Sequence, residues 1–253
     1  MMIDTHCHLD APEFDVDRSE VHAAAVAAGV SKIVVPAVAA EGFAKTRQTV
    51  MHHSGCVAAY GIHPLYVMQA AEADLAVLRS WLEHEDPVAV GEIGLDFYVT
   101  DIDPQRQEYF FVEQLKLARE FDLPVLLHVR RAVDPILKQL RRFRVRGGIA
   151  HAFNGSRQQA EEFIKLGFAL GFGGAMTFSG STRIRALAAE LPSEAIVLET
   201  DAPDIPPAWL NGGRNTPAQL PAIADILADL RGVTRDEILA STSANVRRVL
   251  PGI

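Results

Sequence analysis

Short apolar, β-branched runs alternate with helix-patterned stretches from one end of this chain to the other, and no other feature restricts its fold as much. The strand-like runs are 3–5, 32–36, 56–63, 87–92, 124–128, 148–151, 168–172 and 195–201. Helical periodicity and its stop signals place helices at 16–28, 41–53, 71–84, 104–121, 133–142, 156–166 and 182–190, with two more, 217–230 and 234–249, closing the chain. Pro104 suits a first helical turn, Ser156 an N-cap, and Thr234 with Glu237 a capping box. Strands that alternate with helices require right-handed parallel crossovers, and their near-continuous apolar character says that both faces are covered. The natural closure is an α/β fold of the (β/α)8 TIM-barrel type, one domain over 1–253 with extra C-terminal helices. An open doubly wound sheet competes with it, but no Gly-x-Gly-x-x-Gly follows the first strand.

Composition narrows the class further. Hydrophobic residues make up 49% and charged residues 22%, enough for a large core and unlike a disordered chain. A net charge of −8 argues against a broad basic face for nucleic acid, though not against a local site where metal ions supply positive charge. With only Cys7 and Cys56, no disulfide framework is available, and a reducing compartment is the expectation. No apolar run approaches the length of a membrane span. Asp4, His6, His8 and Asp10 occupy the place of a signal-peptide core, so a cytoplasmic location is expected.

The chemistry lies at the strand ends. His6 and His8 follow the first strand at i, i+2 and share a face, while Cys7 between them turns away to pack. His63 ends the third strand, Glu92 the fourth, His128 the fifth, His151 the sixth and Asp201 the eighth. In a barrel all of these reach the C-terminal rim, where active sites of this fold sit. Four imidazoles and two carboxylates exceed what one ion needs, which points to two ions sharing a carboxylate. Lys32, Lys45, Lys116, Lys138 and Lys165 fall on helices or strand starts, so no lysine can bridge, and Glu92 is the candidate. Glu199 shares the inward face of Asp201. His22, His52, His53 and His84 fall on helices and read as surface or packing residues. The run Arg141-Arg142-Phe143-Arg144-Val145-Arg146 precedes the sixth strand, on the face opposite the site, and reads as a solvated helix end. Arg130 and Arg131, just past His128, are on the rim that an anionic substrate meets.

Six segments in order then resemble the TatD family of metal-dependent deoxyribonucleases, among the amidohydrolase-like barrels. They are Asp4-Thr5-His6-Cys7-His8-Leu9-Asp10, Gly61-Ile62-His63-Pro64, Gly91-Glu92-Ile93-Gly94-Leu95-Asp96, His128-Val129-Arg130-Arg131-Ala132, His151-Ala152-Phe153-Asn154-Gly155-Ser156 and Glu199-Thr200-Asp201-Ala202-Pro203, followed by Asn215-Thr216-Pro217. Val129 and Asn154 depart from the family's usual residues beside the site. The resemblance implies a phosphodiesterase acting on DNA, a deoxyribonuclease of exonuclease type, with two divalent ions (Mg²⁺, Mn²⁺ or Zn²⁺). It implies His6, His8 and Asp201 on one ion, His128 and His151 on the other, and Glu92 bridging. Asp201 is then the residue that orients water or takes its proton, His63 and Arg130 meet the phosphate, and Glu199 lies behind Asp201. No membrane contact and no obligate protein partner are implied. The rival readings are an amidohydrolase-type enzyme cleaving a C–N or ester bond in a small metabolite or aminoacyl adduct, and a metal-dependent binding protein.

Overall fold

In the computed structural model, which describes residues 1–253, eight strands pair in parallel in sequence order. They are β1 (Met2–Asp4), β2 (Val30–Pro36), β3 (Cys56–Tyr60), β4 (Ala89–Asp96), β5 (Val125–Arg130), β6 (Gly148–Ala150), β7 (Phe168–Phe172) and β8 (Ile196–Leu198). The helices between them are α1 (Arg18–Ala27), α2 (Phe43–His52), α3 (Ala73–His84), α4 (Pro104–Glu120), α5 (Val133–Arg142), α6 (Arg157–Lys165) and α7 (Thr182–Glu190), with α8 (Leu220–Arg231) and α9 (Arg235–Val249) at the end. This is the (β/α)8 barrel expected from the alternation. The caps are where the sequence places them: Ser156 with Gln159, and Thr234 with Glu237, both form capping boxes. No helix is long and apolar enough to cross a membrane.

Alternation along the strands builds two cores. Val125 and Leu127 point outward into a large layer between sheet and helices, whereas Leu126 points inward. Ile3, Val34, Ala59, Ala89, Leu126, Ile149, Ala169 and Val197, one from each strand, fill the interior. Val246, Val249 and Leu250 of the α9 end close that layer from below. Asn245 Nδ2 fastens this plug to β8 by donating to Ser193 O at 2.7 Å and to Ile196 O at 2.8 Å.

Several expected boundaries move: β5 runs past His128 to Arg130, and β8 ends at Leu198, short of Asp201. β4 runs on to Asp96 instead of ending at Glu92, because Ile93 and Leu95 keep pairing with β5. Gly94 permits this: at φ 148° it lies so near β5 that a Cβ would meet His128 O at 2.0 Å. β3 ends at Tyr60, and Pro64 opens a 3-10 turn. The eighth helix starts at Leu220, preceded by a separate 3-10 turn, Pro217–Gln219.

The seam between β8 and β1 closes the barrel without a long ladder. Thr5 N donates to Leu198 O (3.1 Å), Asp201 N to His6 O (2.8 Å) and His8 N to Ala202 O (2.8 Å). Asp4, fully buried, fastens the seam with its carboxyl. Oδ1 accepts from Thr200 N at 2.9 Å and from His6 N at 3.3 Å, and Oδ2 accepts from the Thr200 hydroxyl at 2.6 Å. Burial outweighs these bonds and lifts the Asp4 pKa from 3.8 to about 8. The group therefore enters the folded state protonated, and its contribution weakens as pH rises from about 4 toward 8. Asp4→Asn, of the same shape and uncharged, is expected to gain stability relative to the wild type between pH 5 and pH 8 in denaturant titrations. Asp4→Ala leaves Thr200 N–H buried without an acceptor and should cost about 1–3 kcal/mol. Equal pH slopes for wild type and Asp4→Asn would show that the carboxyl is ionised in the fold.

Candidate metal centre

Two local irregularities aim the site residues inward. Between Val90↔Val125 and Ile93↔Leu127 the register shifts, so β4 holds one more residue than β5 over that stretch. Val90 packs outward; strict alternation would send Glu92 the same way, and the extra residue turns it into the barrel instead. At the other irregularity the chain bends at Thr5, so that Ile3 belongs to the interior but Cys7 to the outer layer. His6 and His8 thereby face the mouth. His128 and Glu199 need no such device, since each lies two residues past an interior side chain, Leu126 and Val197.

All of the predicted ligand residues meet around one carboxylate. Glu92, 1% exposed, presents Oε2 to His6 Nε2 at 3.1 Å and His8 Nε2 at 3.5 Å. Its Oε1 faces His151 Nε2 at 2.8 Å, His128 Nδ1 at 3.1 Å and His63 Nε2 at 3.5 Å. Asp201 Oδ1 lies on the Oε2 side, 3.6 Å from His6 Nε2 and 3.7 Å from His8 Nε2, and 4.0 Å from His151 Nδ1. Asp201 holds a left-handed backbone (φ 58°), a conformation unfavourable for a side-chain-bearing residue and common at functional positions. Behind it, Glu199 Oε1 accepts from Ala152 N at 2.5 Å and lies 3.7 Å from His151 Nδ1. A Cβ on Gly171 would strike Glu199 Oε2 at 2.1 Å, so only glycine leaves room for that carboxylate. Arg130 is at the rim, half exposed, with Nη1 3.9 Å from Asp96 Oδ2.

Hydrogen bonding to the outer nitrogens sets what each ring can offer. His8 Nδ1 lies 3.2 Å from Pro36 O, an acceptor only, so Nδ1 carries the proton and Nε2 is a bare lone pair. That lone pair faces His6 Nε2 at 3.3 Å and oxygens of Glu92 and Asp201. Lone pairs and carboxylate oxygens turned on one point are what a cation satisfies. His151 Nδ1 and Glu199 Oε2, buried and without hydrogen-bond partners, add to the same deficit. Three donor groups have their ligand atoms within 4.8 Å of one another: His6–Glu92–His151, His6–His8–Asp201 and His63–Glu92–His128. The donor set thus fits divalent cations. His63 differs from the rest. Its Nδ1 accepts from Leu65 N at 3.1 Å, so the neutral ring keeps its proton on Nε2 and acts as a donor.

Burial would keep Glu92 neutral, yet the imidazoles of His151, His6 and His63 and the hydrogen bond from His128 hold its pKa well below the ordinary value. His151 moves the opposite way: burial lowers it, but Glu92 and Asp201 raise it well above its usual range. His128 is also raised against burial, through Asp96 and Glu92. Burial takes His6 down to about 3 and His63 to about 4, and lifts Asp201 to about 6.

A parallel eight-stranded barrel whose mouth carries this donor set defines a metal-dependent hydrolase. The family described as TatD related DNase matches residues 3–251. The Escherichia coli K12 protein named uncharacterized metal-dependent hydrolase YjjV is 42% identical over 239 residues, 93% of this chain and 92% of its own. The crystal structure of YjjV, a TatD homolog, superposes with a TM-score of 0.95 at 40% identity, covering 99% of this chain and 98% of that one. A Klebsiella pneumoniae protein named 3'-5' ssDNA/RNA exonuclease TatD is 34% identical over 253 residues, 97% of this chain and 96% of its own. The chain belongs to the TatD family.

Asp96 closes one of the motifs that carry the resemblance but was given no role there; the structure brings it to the candidate site. Fully buried, it sets Oδ2 2.9 Å from His128 Nε2, which fixes the proton on Nε2 and frees Nδ1 toward Glu92. Its spacing of four from Glu92 was the available signal, hidden because the fourth strand was expected to stop at Glu92. In Asp96→Asn an amide N–H faces His128 Nε2 and drives the proton to Nδ1. Affinity for Mn²⁺ or Zn²⁺ is expected to fall about 10–100-fold by calorimetry. Because His128 and His151 bind protons more tightly than ordinary imidazoles and only neutral rings ligate, wild-type affinity should weaken as pH falls, with net proton release on binding. Unchanged affinity in the variant would remove Asp96 from this role.

Proposed function

We propose that this protein is a phosphodiesterase that degrades DNA from strand ends with two divalent cations, Mg²⁺, Mn²⁺ or Zn²⁺. The observation that carries the reading is the division of Glu92, whose Oε2 faces His6 and His8 while its Oε1 faces His128 and His151. On this reading His6, His8 and Asp201 would hold one cation and His128 and His151 the other, with Glu92 shared between them. Bound there, such ions neutralise charge on phosphate oxygens and lower the pKa of water toward neutrality. Asp201, whose Oδ1 lies beside His6 and His8 on the Oε2 side of Glu92, would take the proton of the attacking water. His63 donates its Nε2–H to a phosphate oxygen, and the exposed Arg130 guanidinium pairs with the same group. Glu199 keeps Asp201 and His151 in place from behind. The relative named as a single-strand exonuclease supports this choice over a carbonyl substrate, and the two free cysteines accord with the cytoplasm.

Protein stripped of metal, restored with Mg²⁺, Mn²⁺ or Zn²⁺ singly, and given end-labelled single-stranded DNA beside ester and amide substrates tests the reading. Metal-dependent shortening of the DNA is expected; turnover of a carbonyl substrate without DNA cleavage would reject it in favour of the amidohydrolase-type alternative. Asp201→Asn should lower kcat about 10²–10⁴-fold with metal content largely kept. An active Asp201→Asn variant would assign proton transfer elsewhere.

A further inference from the structure

We infer that Tyr98 braces Arg130 and Arg131 into a two-guanidinium clamp, Arg130 on the scissile phosphate and Arg131 on the phosphate next to it, so that the favoured substrate is a strand with consecutive phosphodiesters. This deepens the phosphodiesterase reading above and rests on it. Tyr98 follows β4 on the rim and is 49% exposed. Arg130 Cζ lies 3.9 Å and Arg131 Cζ 4.7 Å from the centroid of its ring. Several surface arginines of this acidic chain are neutralised by carboxylates, among them Arg79–Glu120, Arg141–Glu162, Arg146–Asp122 and Arg235–Asp225. Arg131 pairs with no carboxylate, and Arg130 reaches Asp96 only at 3.9 Å. An aromatic face holds both cations in position while leaving their N–H groups to an anion, and guanidinium forks match phosphate oxygens.

The backbone is bent to this arrangement. Consecutive residues leaving a strand point apart, but Arg131 adopts φ 54°, a left-handed conformation unusual for its type, and both side chains reach one ring. Asp96 then fixes the distance to the chemistry. Its Oδ1 accepts from Tyr98 N at 2.9 Å and Val99 N at 3.1 Å, while Oδ2 contacts His128. The clamp therefore stands one buried carboxylate away from a ring facing Glu92. A substrate with a single phosphate can use Arg130 but leaves Arg131 idle; a strand uses both.

Steady-state kinetics of the metal-loaded protein on a single-stranded oligodeoxynucleotide and on bis(p-nitrophenyl) phosphate, over a salt series, test the clamp. Arg131→Ala and Tyr98→Ala are each expected to raise KM for the oligonucleotide roughly tenfold, the loss of about one charge-assisted contact, with kcat kept. Arg131→Ala should also flatten the slope of log(kcat/KM) against log salt by about 0.7, one single-strand phosphate contact. Tyr98→Phe restores wild-type values, and Arg131→Ala handles the small diester like the wild type. Unchanged oligonucleotide KM and slope in Arg131→Ala, or an equal loss on both substrates, overturns the clamp alone; a wild type that hydrolyses only the small diester overturns the DNA reading and the clamp with it. A wild type that hydrolyses neither substrate overturns the phosphodiesterase reading and the clamp with it.

Discussion

The barrel holds together across a seam that is also the framework of the candidate metal centre. β1 and β8 are three residues each, too short to lock eight strands into a ring by an extended ladder. The backbone bonds at Thr5, Asp201 and His8 do so instead, with the buried Asp4 carboxyl fastening Thr200 across the gap. His6, His8 and Asp201 are thus structural residues by their main chains and site residues by their side chains. A change that loosens the seam moves donors on both of its edges, so stability and metal affinity are coupled here more tightly than elsewhere in the barrel.

Charge balance is the second organising principle. Three carboxylates, Glu92, Glu199 and Asp201, crowd into a nearly dry space with five imidazoles. Burial opposes charge on Glu92, yet the neighbouring imidazoles hold its pKa low, and the carboxylates Glu92, Asp96 and Asp201 raise those of His128 and His151. Protons and cations compete for one set of electron pairs. The chain's overall −8 is therefore irrelevant to the mouth, whose potential depends on what occupies it.

Much of this was legible in the residue order. Apolar periodicity yielded eight strands in their true sequence, and the histidines and acids at their ends converge as the barrel demands. The unread parts depend on backbone irregularity. Glu92 looks like a strand terminus, yet it lies inside β4 and faces the interior through one extra residue against β5, which no hydrophobic pattern encodes. Asp96 stayed hidden behind that misplaced end. Asp4 resembled an ordinary first-strand residue because its partner Thr200 is 196 positions away. His63 was expected to meet phosphate, and the reason it suits a donor's part, the Leu65 N–H on its Nδ1, exists only in the folded turn. Tyr98 carried no sequence signal at all until two arginines were seen over its ring.

The plug formed by Val246, Val249 and Leu250 beneath the interior layer makes the barrel a blind well. Traffic has one doorway. On the phosphodiesterase reading, a strand cannot be threaded through the protein and hauled along; it enters tip first or lies across the opening, and the severed nucleotide leaves by the route it came.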